Sequence, residues 1–154
     1  MADVDPRVRL AIGSRFENIE LVQVVLDESL GDLGIGEDTR HWVELAVREA
    51  VANAIKHGNR EDPDKQVEVD WEVQGGELLV RVRDQGEGFD PGVLGDPLAP
   101  ENLLRPNGRG IFYMKSFMDG IDYHPGPAGG TEVVLHKRLA GQPAVDPSIP
   151  EEGK

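Results

Sequence analysis

The stretch Glu-Ala-Val-Ala-Asn-Ala-Ile-Lys-His-Gly, residues Glu49 to Gly58, closes a long amphipathic segment that begins near Gly36. Apolar residues recur at helical spacing along two sides of this segment, which predicts a helix from about Glu37 to His57 with two buried sides. Gly58 is a typical helix stop. One side carries Trp42, Leu45 and Ala46, and the other carries Val43, Val47, Ala50 and Ala54.

Three polar side chains interrupt the first of these apolar sides. At about 100° per residue, Glu49, Asn53 and Lys56 fall in line with Trp42 and Ala46. Polar groups on a buried face cost free energy unless a partner satisfies them. A polar edge that reaches solvent would explain any one of the three residues alone. Three on one stripe favour a ligand site.

Composition limits the classes of protein to which the chain can belong. A length of 154 residues, with 38% hydrophobic and 29% charged residues, predicts one globular domain. There is no cysteine, so disulfides and Cys-built metal sites are excluded. The formal net charge of −13 argues against a nucleic-acid partner, but backbone amides and a metal could still bind a nucleotide. The sequence lacks a signal peptide and a membrane-spanning apolar run, which predicts a cytoplasmic protein with no membrane partner.

Alternating and helical periodicity assign the remaining elements. They predict strands at 7–12, 67–73, 78–83, 119–123 and 131–138, helices at 17–30 and 111–118, and a loop over 91–107. This order predicts an α+β fold, a two-layer sandwich whose mostly antiparallel sheet has helices on one face. The domain is expected to span residues 1–139. The Pro-, Gly- and Glu-rich segment 140–154 is expected to be a disordered tail.

Two further segments combine glycine with groups that could bind a ligand. Asp84 ends the third predicted strand in phase with its apolar face, which aims a carboxylate at the covered side of the sheet. Gly86 and Gly88 follow it and allow another group to approach the backbone closely. Gly108 and Gly110 precede the last predicted helix, where exposed N–H groups form an anion site.

Together, these motifs resemble the GHKL ATP-binding superfamily and its Bergerat fold. The resemblance rests on Glu49-x-x-x-Asn53, Asp84-x-Gly86-x-Gly88, Gly108-x-Gly110 and Gly130-Thr131, in the family's order. Within the superfamily, the chain is most similar to the small anti-sigma-factor serine-protein kinases. Two stretches are characteristic of that group, Glu49 to Asn59 and the run Gly-Arg-Gly-Ile-Phe-Tyr-Met-Lys-Ser-Phe-Met-Asp at 108–119.

The resemblance implies a role for each matched residue. Asn53 would ligate Mg²⁺ on the phosphates of ATP, and Glu49 would accept the proton of the attacking hydroxyl. Asp84 would accept a hydrogen bond from the adenine amine, with Thr131 helping to hold that carboxylate. The remaining nucleotide contacts would come from Lys56, His57, Gly86, Gly88, Gly108, Arg109 and Gly110.

An arginine is also expected at the γ-phosphate, where the family usually places it just before the second glycine pair. Arg105 lies three residues before Gly108 and is our preferred catalytic candidate, with Arg109, between the two glycines, as the alternative.

The resemblance implies an ATP-dependent serine/threonine protein kinase that is also an anti-sigma factor. Its partners would be a sigma factor and a small antagonist protein, which it would phosphorylate. A homodimer is possible, and exposed apolar residues of the first strand and helix are its expected location. The alternative function is a non-catalytic switch that binds ATP or ADP and sequesters a protein partner. A switch would keep Asn53 and Asp84 but has no need for a base at Glu49.

Overall fold

The computed structural model describes residues 7–87, 117–127 and 129–139. Within these residues, two helices pack on one face of an antiparallel sheet, which confirms the predicted α+β sandwich. The elements are β1 (Arg7–Gly13), a short 3₁₀ turn (Phe16–Asn18), α1 (Ile19–Asp32), α2 (Glu37–Asn53), a π-helical turn (Ala54–Gly58), β2 (Gln66–Gln74), β3 (Glu77–Arg83), β4 (Gly120–Pro125) and β5 (Thr131–Arg138).

The strand order of the sheet is β1-β2-β3-β5-β4, and every neighbouring pair is antiparallel. Strands β2 and β3 form a hairpin, which turns through Gly75 and Gly76 at φ of 59° and 81°. Positive φ favours glycine because it has no Cβ to clash with the backbone. The order places β3 in the centre of the sheet, with β2 on one side and β5 on the other.

The hydrophobic core fills the space between the helices and one face of the sheet. Helix α1 contributes Ile19, Val22, Leu26 and Leu30, and α2 contributes Val43, Val47, Ala50 and Val51. The sheet contributes Val67, Val69 and Trp71 from β2 and Leu78, Val80 and Val82 from β3. Trp71 is fully buried, and its indole N–H donates a hydrogen bond of 2.9 Å to Ser29 Oγ in α1. The indole therefore joins the two layers with its polar atom satisfied.

The opposite face of the sheet holds a network of ion pairs. Asp70 is fully buried, and its two carboxylate oxygens pair with Arg81 at 3.0 Å and with Arg83 at 2.9 Å. Arg81 also pairs with Glu72 at 2.9 Å, and Arg83 with Glu132 at 2.7 Å. Pairing both oxygens of a buried carboxylate offsets its desolvation cost, so this polar face contributes to the folded structure.

The predicted helix from about Glu37 to His57 is present as α2 and the π-helical turn, but its hydrogen bonding changes after Asn53, and the prediction that Trp42 is buried is wrong. The α-helical hydrogen bonding ends at Asn53 rather than His57, and a π-helical turn follows in which the Asn59 N–H donates to the Ala54 carbonyl at 2.8 Å, five residues back. Trp42 was expected on a buried side but is 42% exposed. The side of α2 that holds Glu49 and Asn53 is therefore not buried along its whole length.

Other predicted elements have slightly different bounds in the structure or lie outside the described residues. The predicted strand at 119–123 is β4 at Gly120–Pro125, and the first predicted helix splits into the 3₁₀ turn and α1. The loop at 91–107, the tail at 140–154 and all but the last two residues of the helix at 111–118 lie outside the described residues. None of the helices described is both long and apolar enough to cross a membrane.

Candidate functional site

Asp84 lies directly after the central strand β3, in phase with its buried side chains. The residue is 7% exposed, and its Oδ1 accepts hydrogen bonds from the backbone N–H groups of Gly86 at 3.0 Å and Thr131 at 3.1 Å. Its own N–H donates to the Thr131 carbonyl at 3.0 Å. The predicted contact between Thr131 and Asp84 is therefore present, but the backbone of Thr131 makes these hydrogen bonds.

Three glycines surround Asp84 where three chain segments converge. A Cβ on Gly58 would overlap the Asp84 carboxylate, and one on Gly86 would overlap the Gly58 carbonyl. A Cβ on Gly130 would overlap the Asp84 carbonyl, and Gly130 also has a φ of 77°. The sequence predicts Gly58 only as a helix stop, but its lack of a side chain also lets the end of the π-helical turn contact Asp84.

The two oxygens of the Asp84 carboxylate have different surroundings. Oδ1 holds both backbone hydrogen bonds, whereas none of the described residues donates to Oδ2, which lies against Gly58. Burial raises the pKa of Asp84 above its ordinary value, opposed by the N–H groups of Gly86 and Thr131 and by the charge of Lys65. The hydrogen bonds to Oδ1 fix the side chain, and Oδ2 is the oxygen that is suited to accept a hydrogen bond from an N–H group of a ligand.

Asn59 is a structural residue of the site that the sequence analysis did not identify. Its side chain is 1% exposed, and its Oδ1 accepts the Gln85 N–H at 2.7 Å. Its Nδ2 donates to Ser14 Oγ at 2.9 Å and to the Gln66 carbonyl at 3.0 Å. Asn59 therefore ties the segment after Asp84 to β2 and to the end of β1. Its position directly after Gly58 is the signal that could have revealed it.

Glu49 and Asn53 lie on one side of α2, one helical turn apart, and both are half-buried. Among the residues with described positions, none forms a hydrogen bond with either side chain. Lys56 and His57 are exposed on the π-helical turn that leads from Asn53 to Gly58. Single π-helical turns occur frequently at functional sites, and here the turn connects Asn53 to the glycine that contacts Asp84. A carboxylate and an amide are thus available on the helix whose π-helical extension contacts Asp84.

Gly88, Arg105, Gly108, Arg109 and Gly110 all lie outside the described residues. Their assigned roles stay predictions.

The residues near Asn53 fit the binding preferences of Mg²⁺. Across the ranges that the structure describes, no group of three or more His, Cys, Asp or Glu side chains could hold a metal ion by itself. Mg²⁺ does not need such a group, since it is usually bound by one or two protein oxygens together with substrate phosphates and water. The available amide oxygen of Asn53 fits this mode of binding.

The fold is a helix-on-sheet domain with a buried carboxylate, Asp84, after its central strand and two polar side chains, Glu49 and Asn53, on the adjoining helix. A family model described as the histidine kinase-like ATPase domain matches residues 12–137. The chain belongs to this family, which confirms the resemblance to the GHKL superfamily and the use of ATP that it implies.

Two relatives and one solved structure are similar to this chain over most of its length. The anti-sigma F factor of Oceanobacillus iheyensis is 30% identical over 135 residues, covering 85% of this chain and 91% of the relative. The serine-protein kinase RsbW of Listeria innocua serovar 6a is 24% identical over 145 residues, covering 90% and 91%. The structure of the RsbU and RsbW domains of Rv1364c from Mycobacterium tuberculosis has a TM-score of 0.65 at 22% identity. That match covers 87% of this chain and 32% of the longer one, and it shows a shared fold.

Proposed function

We propose that this protein is an ATP-dependent serine/threonine protein kinase that acts as an anti-sigma factor and phosphorylates a small antagonist protein. The observation that favours this function most is the position of Glu49, one helical turn before Asn53 on the helix that ends at Asp84. The similarity to an anti-sigma F factor and to a serine-protein kinase supports the same proposal.

The base end of the site selects adenine. Asp84 Oδ2 accepts the N–H of the exocyclic amine at C6 of adenine. Guanine has a carbonyl oxygen at C6, so two acceptors would face each other and the interaction would be repulsive. The glycines around Asp84 let three chain segments pack directly against one another and so fix the position of this carboxylate.

The phosphate end of the site lies along α2. Asn53 would hold Mg²⁺, which when bound neutralises charge on the phosphates. In our proposal, the backbone amides from Gly108 to Gly110 bind phosphate oxygens. Arg105, or alternatively Arg109, stabilises the charge on the transferring group. Lys56 and His57 add positive or hydrogen-bonding groups near the same phosphates.

Glu49 acts on the protein substrate rather than on the nucleotide. Its carboxylate orients the incoming serine or threonine hydroxyl and takes its proton as the new bond forms between the hydroxyl oxygen and the γ-phosphorus. The bond between the γ-phosphorus and the oxygen that bridges the β- and γ-phosphates breaks, and ADP leaves with that oxygen. The products are the phosphorylated antagonist, ADP and one proton, which Glu49 releases to solvent.

The alternative function is the non-catalytic switch, and Glu49 distinguishes the two. A carboxylate beside the phosphates repels them, so a protein that only binds nucleotide gains nothing from it. We expect Glu49→Gln to slow single-turnover transfer from ATP to the antagonist by about 10²- to 10⁴-fold, with ATP affinity unchanged or improved. Glu28→Gln, an exposed change on α1, is the matched control. If the unmodified protein transfers no phosphate to any candidate antagonist, the switch is the better description.

We further propose that the protein forms a homodimer in the cytoplasm. Leu21 and Val24 lie three residues apart on α1, and they are 59% and 62% exposed. Burial of such neighbouring apolar side chains by a second copy would remove them from water. Sedimentation should show a dimer that Leu21→Glu converts to a monomer. A monomeric parent protein would refute this part of the proposal.

A further inference from the structure

Trp42 is a large aromatic side chain that the structure holds in place but leaves half exposed. Its ring stacks on Phe117 with centroids 4.3 Å apart and an interplanar angle of 29°, and the His41 ring meets it edge-on at 4.8 Å. It is nevertheless 42% exposed, whereas Trp71 is fully buried. Rigid aromatic side chains of this kind are enriched among the residues that dominate binding at protein interfaces.

The position of Trp42 relative to Glu49 suggests what binds there. Trp42 precedes Glu49 by seven residues, which is about 10.5 Å along the helix and about 20° around it. Asp84 contacts Gly58 at the other end of the same helix. In the proposed kinase, the nucleotide therefore extends from Asp84 toward Glu49 with its base farthest from Trp42. The acceptor hydroxyl attacks roughly in line from the side away from ADP, so the substrate protein approaches over the half of α2 that holds Trp42.

The charges along this stripe indicate the chemistry of the side chain that would dock. Asp38 is exposed four residues before Trp42, one helical turn away, so a carboxylate lies on the same stripe beside the aromatic ring. Arg40 does not neutralise this negative charge, because its guanidinium donates hydrogen bonds to Asp27 at 3.1 Å and to the Ile35 carbonyl at 2.8 Å. An aromatic ring next to a carboxylate attracts a cation.

We propose that Trp42, with Asp38, docks an arginine or lysine side chain in the phosphoacceptor segment of the protein substrate. The proposal rests on the kinase function given above. It adds a specificity-determining residue outside the nucleotide site. The substrate would therefore carry a positive charge within reach of its acceptor serine or threonine.

The test measures steady-state transfer to the antagonist protein that the parent chain phosphorylates. Trp42→Ala should raise the KM for the antagonist by about 10-fold and leave the KM for ATP unchanged, whereas Trp42→Phe should retain most of the affinity. Phe16→Ala is the matched control, because Phe16 is 41% exposed but lies on the 3₁₀ turn before α1. The thermal midpoint of each variant confirms that it folds.

A double-mutant cycle identifies the docked side chain. Each arginine and lysine near the acceptor residue of the antagonist is replaced by alanine, and transfer is measured with the parent kinase and with Trp42→Ala. One cationic residue should show strong coupling, with its replacement costing about 10-fold in the parent and almost nothing in Trp42→Ala. An unchanged antagonist KM for Trp42→Ala, or no coupling to any cation, overturns this proposal while the kinase function stands. Absence of transfer by the parent protein overturns both.

Discussion

Replacing Asp84 by asparagine tests whether this residue reads the base. In the structure, Oδ1 accepts two backbone N–H groups, from Gly86 and Thr131, and these fix the orientation of the side chain. An asparagine must keep its carbonyl oxygen at the same place, since its NH₂ group would otherwise face two N–H donors. The NH₂ group then occupies the position of Oδ2, where we propose that the adenine amine binds.

The size of the effect follows from this geometry. The variant replaces one hydrogen bond to the adenine amine by two opposed donors, a change of about 1–3 kcal/mol. This corresponds to a Kd for ATP that is about 5- to 150-fold higher. The same NH₂ group can donate to the C6 carbonyl of guanine, so the affinity for GTP should rise. The hydrogen bonds to Oδ1 persist, so the variant should remain folded.

Calorimetric titration of parent and Asp84→Asn proteins with ATP and with GTP measures both changes. The expected result is weaker ATP binding together with stronger GTP binding by the variant. Asp84→Ala is the control, because it removes the acceptor without adding a donor and should weaken ATP without improving GTP. Equal affinities of the parent for ATP and GTP, or parallel losses of both in Asp84→Asn, would show that Asp84 does not read the base.

Three further changes test other parts of the molecule. Asn53→Ala should weaken ATP in the presence of Mg²⁺ but leave adenosine binding unchanged; identical ATP affinity with and without EDTA would contradict this. Gly58→Ala should lower the free energy of unfolding by about 1–3 kcal/mol and abolish ATP binding, because the new Cβ would overlap Asp84. Gly13→Ala is the control and should be tolerated, because a Cβ there would have its nearest neighbour at 3.5 Å. Burial and the nearby Asp27 raise the pKa of Glu44 to about 7 from its ordinary 4.5. Glu44 therefore adds stability that is fully present below pH 4.5 and lost as the pH rises to about 7, and denaturation curves of Glu44→Gln should lack that pH dependence.

Much of the fold could be predicted from local patterns, because alternation in strands and helical spacing reflect which side chains face the core. The order of the sheet could not be predicted in this way, since the pairing of β5 with β3 joins segments separated by about 50 residues. The burial of Asp70 could not be predicted from the sequence either. Its place in the alternation indicates the outer face, and only the pairing with Arg81 and Arg83 explains how a charge is covered there.

The side chains proposed for the site can be selected from the sequence, whereas the backbone contacts around them cannot. The positions of Glu49, Asn53 and Asp84 follow from periodicity and from the family's motifs. The π-helical turn leaves no signal in composition, because one extra residue in a turn changes hydrogen bonding rather than residue type. The contact of Thr131 with Asp84 uses main-chain atoms, which any residue could supply.

The central position of β3 determines when the geometry around Asp84 is lost during unfolding. Strands β2 and β5 pair with β3 on its two sides, so its amide hydrogens exchange with solvent only when the sheet as a whole opens. The edge strands β1 and β4 can fray without disturbing it. Asp84 follows β3 directly and is held by β5, so its geometry has the lifetime of the slowest-exchanging part of the molecule. Mutations that loosen an edge should therefore leave adenine recognition intact until the whole domain unfolds.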